Sequence, residues 1–427
     1  MSLRAPSPKH AIGRTIEIRI DGIAAGGDGV GRVEGMVCFV PYTVRGDRVV
    51  ARIVNAGKQF LRAEVCELKT PGPYRIDPPC PLFGTCGGCN WMHLDAPEQR
   101  RAKAEILTHA LGVESAEMTP SPQFFEYRGR ARLHFHTDEG SVRLGFRAAR
   151  GSDIIDVDTC PILTPSLSRC LSKLRGALSC VETAHGEIQL ADGTHGVVAH
   201  LQIASAGALS RSAYAALSSL NGPPFCSVSL RVDDIESTLF GDPVVETEGT
   251  DGRPFFFPAA SFGQANAGIN RSIAETIREF LANRRFKKGI ELFAGAGNHS
   301  IHLAPFASDF TVAELDSRAV RQAEANLSAR GLTRVQTAVG DALEVYERLG
   351  AEADLVVLNP PRTGHAAAAE AIAERKPSAV LYISCNPATL ARDIALLRKA
   401  AYRVHRVRGF DMFPQTSHME AAVFLTR

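Results

Sequence analysis

The residues best suited to chemistry are thiols, and the spacing of the ten cysteines in this 427-residue chain sorts them into three groups. Cys385 stands alone. Val380 to Ile383 reads as a short buried strand, Cys385-Asn386-Pro387 interrupts it, and a helical pattern opens at Pro387. A thiol placed there lies at the carboxyl end of a strand, where open α/β sheets hold their ligands. The free N–H groups and positive dipole end of the following helix favour thiolate over thiol, so Cys385 is expected to be a nucleophile. A second group is Cys80-Pro-Leu-Phe-Gly-Thr-Cys86-Gly-Gly-Cys89, with Cys160 as a distant fourth. Thiols this dense, with glycines that let the backbone curl round a ligand, point to zinc or an iron–sulfur cluster, and spacing alone leaves both open. A Cys-x-x-Cys redox pair would need a thioredoxin-like βαβ unit, which the surroundings lack. The remaining five, Cys38, Cys66, Cys170, Cys180 and Cys226, sit among apolar or small residues and are expected to pack.

A second chemical pattern begins at Gly289, where a strand runs into Phe293-Ala-Gly295-Ala-Gly297-Asn298. A glycine turn between strand and helix lets backbone approach a ligand closely. The next strand, Phe310 to Ala313, ends in Glu314, about 20 residues on, where an acid can hold ribose hydroxyls. Asp341 follows a third strand, and Leu355 to Leu358 runs into Asn359-Pro360-Pro361-Arg362. Consecutive strand ends carrying polar groups look like a pocket for S-adenosylmethionine. A dinucleotide dehydrogenase is the rival, but residue 300 is Ser where the full Gly-x-Gly-x-x-Gly needs glycine.

The elements that must position these groups imply several domains, since the chain is too long for one ordinary core. Residues 1 to about 10 suggest a loose tail. Short β runs from Thr15 to about Leu68, broken by turns such as Gly26-Gly27-Asp28-Gly29, imply a small barrel that resembles a TRAM domain, an OB-like RNA-binding fold. Asp95 to Leu111 reads as a helix ending at Gly112. Arg128, Arg130 and Arg132 alternate with small or apolar residues as one strand face would. With Arg143, Arg147 and Arg150, and with Tyr127, Phe135 and Phe146 interleaved, they are expected to meet RNA, guanidinium groups on phosphates and aromatic rings on unstacked bases. Beyond about residue 255, helix and strand alternate as in a parallel sheet. The net charge of only +2 means that any basic surface comes from local clustering. No apolar run reaches membrane length and no apolar signal region opens the chain, so a cytoplasmic protein without membrane contact is expected.

Taken together the chain resembles the RNA (uracil-5-)-methyltransferases that carry a TRAM domain and an iron–sulfur cluster, similar to the large-subunit rRNA 5-methyluridine enzymes. The resemblance runs from about residue 12 to the end. It is carried most specifically by Ser384-Cys385-Asn386-Pro387-Ala388-Thr389-Leu390-Ala391-Arg392-Asp393 and by Asp411-Met-Phe-Pro-Gln-Thr-Ser-His418-Met-Glu420. It implies a multidomain α/β chain: an OB-like barrel over 10–70, a central β-rich cluster and RNA domain from 71–93 and 124–262, and a Rossmann-like methyltransferase domain from 94–123 and 263–427. It also implies Cys385 as nucleophile and Glu420 as base, methyl-donor contacts at Gln264, Phe293, Gly295, Gly297, Asn298, Glu314, Asp341 and Asn359, and a 4Fe-4S cluster on Cys80, Cys86, Cys89 and Cys160. Asn359 departs from the family, whose members usually carry Asp there. The implied substrate is a single-stranded or flipped-out uridine, in rRNA rather than tRNA, and the implied form is a monomer. A different class of function, an RNA-binding assembly factor without catalysis, would share the barrel and arginines but has no use for Cys385, Glu420 and the glycine turn together.

Overall fold

The computed structural model describes residues 12–205, 209–233 and 235–427, so the tail expected at the N-terminus lies outside the described residues. The first sheet has six strands in the order Thr15–Arg19, Arg48–Ala56, Phe60–Thr70, Met36–Val40, Gly29–Val33 and Gly22–Ile23. Alternation does the folding: Ile16 and Ile18 point inward while their neighbours face water, and they meet Val40, Val49, Ala51 and Ile53 in one apolar interior.

The middle of the chain forms a seven-stranded sheet running from Ile154–Asp156 through Arg130–Asp138 to Ile235–Phe240. Its apolar face packs on the helix Pro165–Leu178, which opens on Thr164 as N-cap with Pro165 in the first turn. Cys38 and Cys170 are buried packing residues as expected, whereas Cys66 and Cys180 are exposed, each lying outside the apolar cores.

The third sheet has eight strands, ordered Val335–Val339, Ala307–Glu314, Phe286–Leu292, Leu355–Leu358, Ala379–Ser384, Glu420–Thr426, Arg403–Phe410 and Glu117–Thr119. Glu420–Thr426 runs antiparallel to both neighbours, and the other pairings are parallel. Both faces are covered. Val356, Val380 and Tyr382 pack toward the helices Ala96–Leu111 and Pro387–Lys399, and Leu355, Leu381 and Ile383 toward Ala267–Leu281. Burial on two sides is why Ala379–Ser384 is apolar without alternation. Chain order reverses between Phe286–Leu292 and Leu355–Leu358, which opens a crevice at their carboxyl ends. Among the described residues no helix is long and apolar enough to cross a membrane.

Candidate active site

On one side of the reversal the glycine turn folds against the next strand. Phe293 takes φ 64° and Gly295 φ 58°. The Gly295 N–H then donates to Glu314 Oε2 at 2.9 Å, while Glu314 Oε1 accepts from Leu315 N at 2.7 Å and Asp316 N at 3.0 Å. A side chain at Gly295 would meet nothing within 4 Å, so the turn faces open space. Asn298 is fixed by a reciprocal amide pair with Asn270, at 2.9 and 2.8 Å. Asp341 caps the helix Ala342–Leu349, and Asn359 donates its backbone N–H to Leu292 O. Gln264 is half-buried. Leu315 and Val339 are exposed at 69% and 52%, side by side at the mouths of their strands. The sequence carried Leu315 only as an apolar residue one step past Glu314, and Val339 only as the last residue of its strand. Ser300, where a dinucleotide fingerprint would have glycine, donates to the fully buried Glu291, whose carboxyl burial pushes up to about 8.

On the other side Cys385 follows Ala379–Ser384, and Asn386 caps the next helix by accepting from Ala388 N at 3.0 Å. Burial pushes the Cys385 thiol up to about 11, with Glu420 adding to the rise and Arg362 opposing it. The helix start does not win over desolvation, so the thiolate expected from the sequence is not the resting form. Glu420 opens its strand opposite Phe410, and burial pushes it up to about 8, again opposed by Arg362. Ser384 pairs with Ala421, so Cys385 and Glu420 end neighbouring strands at one mouth, and the Arg362 loop is tied to Asn386 beside them.

Arg362 is the residue that sequence reasoning passed over. Its carbonyl accepts from Asn386 Nδ2 at 2.9 Å and Thr389 Oγ1 at 3.2 Å, and the Thr363 carbonyl accepts from Arg392 Nη2 at 3.0 Å. The buried Asp393 carboxylate accepts from Tyr382 Oη at 2.6 Å, His365 N at 2.9 Å and Arg392 Nε at 2.8 Å. A Cβ on Gly364, at φ 65°, would stand 2.6 Å from Asp393 Oδ2, so only glycine lets the loop close on the helix. Arg362 Nη2 reaches His418 Nδ1 at 3.2 Å. Burial first, then Arg362, pushes His418 down to about 4, which keeps the ring neutral.

A cavity of about 650 Å³ joins this crevice to the rest of the molecule. Cys385, Arg362 and His418 form one wall; Tyr42 and Arg62 of the barrel, and Gly87 to Asn90 of the thiol loop, form the others.

Cys80, Cys89 and Cys160 lie in one apolar cluster with Phe83 and Tyr127, and Cys86 is tied by a bridge to Ala148. Burial raises the Cys89 thiol, and Cys160, Cys86 and Cys80 each raise it further, so each of the three lies within electrostatic reach of Cys89. Among the described residues no three His, Cys, Asp or Glu side chains come together around a point as a single metal ion requires.

Arg130 and Arg132 share one face of the strand, but the arginines do not form one exposed surface. Regular strand begins only at Arg130, and the segment Ala259–Ser261 covers that end of the face. Arg130 is sunk beneath it, donating to Ala259 O at 3.0 Å and Ser261 O at 2.7 Å over the Phe257 ring. Arg128 lies before the strand, half-buried against Phe413. Arg132 alone of the three is exposed, 3.6 Å from Glu187. Tyr127, Phe135 and Phe146 are core residues, so they offer no stacking surface.

Residues 237–427 match the family model described as tRNA (Uracil-5-)-methyltransferase, and residues 9–66 match the TRAM domain. The chain is 33% identical over 422 residues to the 23S rRNA (uracil(1939)-C(5))-methyltransferase RlmD of Cronobacter sakazakii, with 96% of each chain covered. It is 31% identical over 426 residues to an uncharacterized RNA methyltransferase of Protochlamydia amoebophila, covering 96% of this chain and 98% of that one. Among solved structures it is similar to the Pyrococcus abyssi tRNA (uracil-54, C5)-methyltransferase in complex with S-adenosyl-L-homocysteine. That likeness, in fold, has a TM-score of 0.76 at 24% identity and covers 96% of this chain and 100% of the other.

Proposed function

This chain belongs to the S-adenosylmethionine-dependent RNA (uracil-C5) methyltransferases, and from that premise we propose that it methylates carbon 5 of one uridine of large-subunit rRNA through a covalent bond to Cys385. The observation that carries the reading is the strand pairing that sets Cys385 and Glu420 at one mouth, with the Arg362 loop tied to Asn386 beside them and the glycine turn two strands away. Carbon 5 of uracil is a weak nucleophile, and thiolate addition at carbon 6 turns the ring into an enolate that can react. The Cys385 thiol first gives its proton to solvent, and Arg362, whose charge favours the thiolate, is the group placed to support that loss and the addition that follows. When bound, the donor supplies an electrophilic sulfonium methyl group for carbon 5. The Glu420 carboxylate then removes the carbon-5 proton, and the carbon–sulfur bond breaks to return the Cys385 thiolate.

The donor fits the turn. Gly295 and Gly297 give close backbone approach, Glu314 offers carboxylate lone pairs to ribose hydroxyls, and exposed Leu315 and Val339 suit the adenine face. Gln264, Phe293, Asn298, Asp341 and Asn359 complete the set that would hold it. Cys80, Cys86, Cys89 and Cys160 would hold a 4Fe-4S cluster; three of them pack in one apolar cluster, and Cys86 lies within electrostatic reach of Cys89. The cluster would tie the loop together. RNA contact outside the crevice falls to Arg132 and to Arg62 and Arg150 at the cavity, not to Arg130. Such a protein would act as a cytoplasmic monomer.

The rRNA target rests on the name of the Cronobacter relative. Mass mapping of rRNA and tRNA from a deletion strain tests it: one 5-methyluridine should vanish from large-subunit rRNA. Its loss from tRNA instead would move the substrate, and no loss in either would leave an RNA-binding factor.

A further inference from the structure

The loop Asp411–Met419 joins Arg403–Phe410 to Glu420–Thr426, and Phe410 faces Glu420 across that ladder, so the loop's exit sets where Glu420 stands. The loop is not held by its own domain alone. Asn90 clasps it with both ends of its amide: Nδ2 donates to Ser417 Oγ at 3.1 Å and Oδ1 accepts from Ser417 N at 2.9 Å. The backbone N–H groups of Asn90 and Trp91 both donate to Gln415 O, at 3.2 and 2.9 Å. From the helix Ala96–Leu111, buried Gln99 donates to Gln415 Oε1 at 3.2 Å and accepts from Gln415 N at 2.8 Å. Gln415 takes φ 72°, a conformation that a non-glycine residue keeps only when its surroundings hold it there. Asn90 directly follows Cys89, so the clasp is one residue from the thiol loop.

We propose that Asn90 and Gln99 are positioning residues for the removal of the carbon-5 proton, and that through Asn90 the thiol loop governs the placement of Glu420. The inference rests on the covalent reading of Cys385 and goes one step further, to the group that must act last. Neither residue carries a proton in the reaction. Gln99 is fully buried and cannot reach RNA, and both amide atoms of Asn90 are already engaged. Loosening the clasp should therefore spare thiol addition and methyl transfer and slow only the step that depends on Glu420.

The test uses full-length large-subunit rRNA transcribed with uridine or with 5-fluorouridine, whose fluorine cannot leave as a proton. On 5-fluorouridine RNA, Asn90→Ala should form the covalent adduct at the wild-type rate. On uridine RNA it should accumulate a methylated adduct that wild type does not, with release slowed by about tenfold, less than the loss of a general base itself costs. Ser417→Ala, which cuts the other side of the clasp, should show the same pattern more weakly, and Asn90→Asp, which can still accept from Ser417 N and Oγ, should restore release. RNA affinity and iron content should match wild type in all three. The proposal is overturned if adduct formation on 5-fluorouridine RNA falls in parallel with turnover, if iron or RNA affinity is lost with activity, or if neither Asn90→Ala nor Ser417→Ala accumulates adduct on uridine RNA. If wild type itself forms no adduct on 5-fluorouridine RNA, the covalent reading has failed and takes this inference with it.

Discussion

Two loops face Cys385, and they are held in opposite ways. The loop that carries Arg362 is latched by residues of the helix that begins just after the thiol: Asn386, Thr389, Arg392 and Asp393. The loop that leads to Glu420 is latched from far away in the sequence. Its partners are Asn90, Gln99, Lys103 and Tyr127, the last donating to Pro414 O at 2.9 Å. Under the proposed mechanism, the half of the site that would make the covalent bond has its loop held by its own neighbouring helix, whereas the half that would break it depends on the middle of the chain and the thiol loop. Variants on the two sides should stall the cycle at different points.

The largest such contrast is Glu420→Gln. Loss of the base should slow product release by about 10²- to 10⁴-fold while addition and methyl transfer proceed, so that methylated enzyme–RNA adduct survives a denaturing gel. Release at the wild-type rate would give the proton to another group.

Next comes the buried pair Lys103–Asp411, which joins the helix Ala96–Leu111 to the start of the distant loop beneath Trp91. Lys103→Met leaves Asp411 without its partner and should cost about 3–5 kcal/mol in denaturant unfolding, most of it recovered by adding Asp411→Leu. A single variant as stable as wild type would show that the loop does not depend on this anchor.

Asp393→Ala probes the local latch. It strips the buried acceptor from Tyr382 Oη and His365 N, each group left unpaired costing about 1–3 kcal/mol. Adduct formation on 5-fluorouridine RNA should slow, without the accumulation on uridine RNA that marks the other side. Accumulation would erase the distinction between the loops.

The difference between the loops also decides what could be read in advance. The apolar run before Cys385, the glycine turn, Glu314 and the helix from Asp95 to Gly112 are local patterns, and the structure forms a strand, a turn and a capped helix there. The helix Pro165–Leu178 has an equally local signal, Thr164-Pro165 at its start. The clasp of Asn90 on Ser417 spans 327 residues, and no periodicity encodes it. Arg130 fails for the same reason, since a segment over a hundred residues later covers the strand face it was expected to share with Arg132; Arg130 to Ser261 is a separation of 131. The Cys385 thiol departs from the expected thiolate because the helix-end effect is local, while the burial that outweighs it comes from tertiary packing.

A further effect is a pH dependence of stability. Burial raises the Glu420 carboxyl from its ordinary 4.5 to about 8 in the folded protein. A carboxyl raised in this way favours folding fully only below its unfolded value, and that advantage is lost as pH climbs through the folded one. Glu420→Gln, which does not ionise, should therefore gain thermal stability over wild type as pH rises from about 4.5 to about 8, with a constant difference on either side. A difference that is flat across this window would mean that Glu420 is not buried as a carboxyl.

The central claim is that Cys385 itself bonds to the uridine. Wild-type protein incubated with 5-fluorouridine large-subunit rRNA and S-adenosylmethionine, then digested with protease and nuclease, gives the direct reading by mass spectrometry. The account predicts one modified peptide, spanning Cys385, that carries a methylated 5-fluorouridine nucleotide, and none from Cys385→Ala. An adduct on any other cysteine, or full methylation of uridine rRNA by Cys385→Ala, would contradict it.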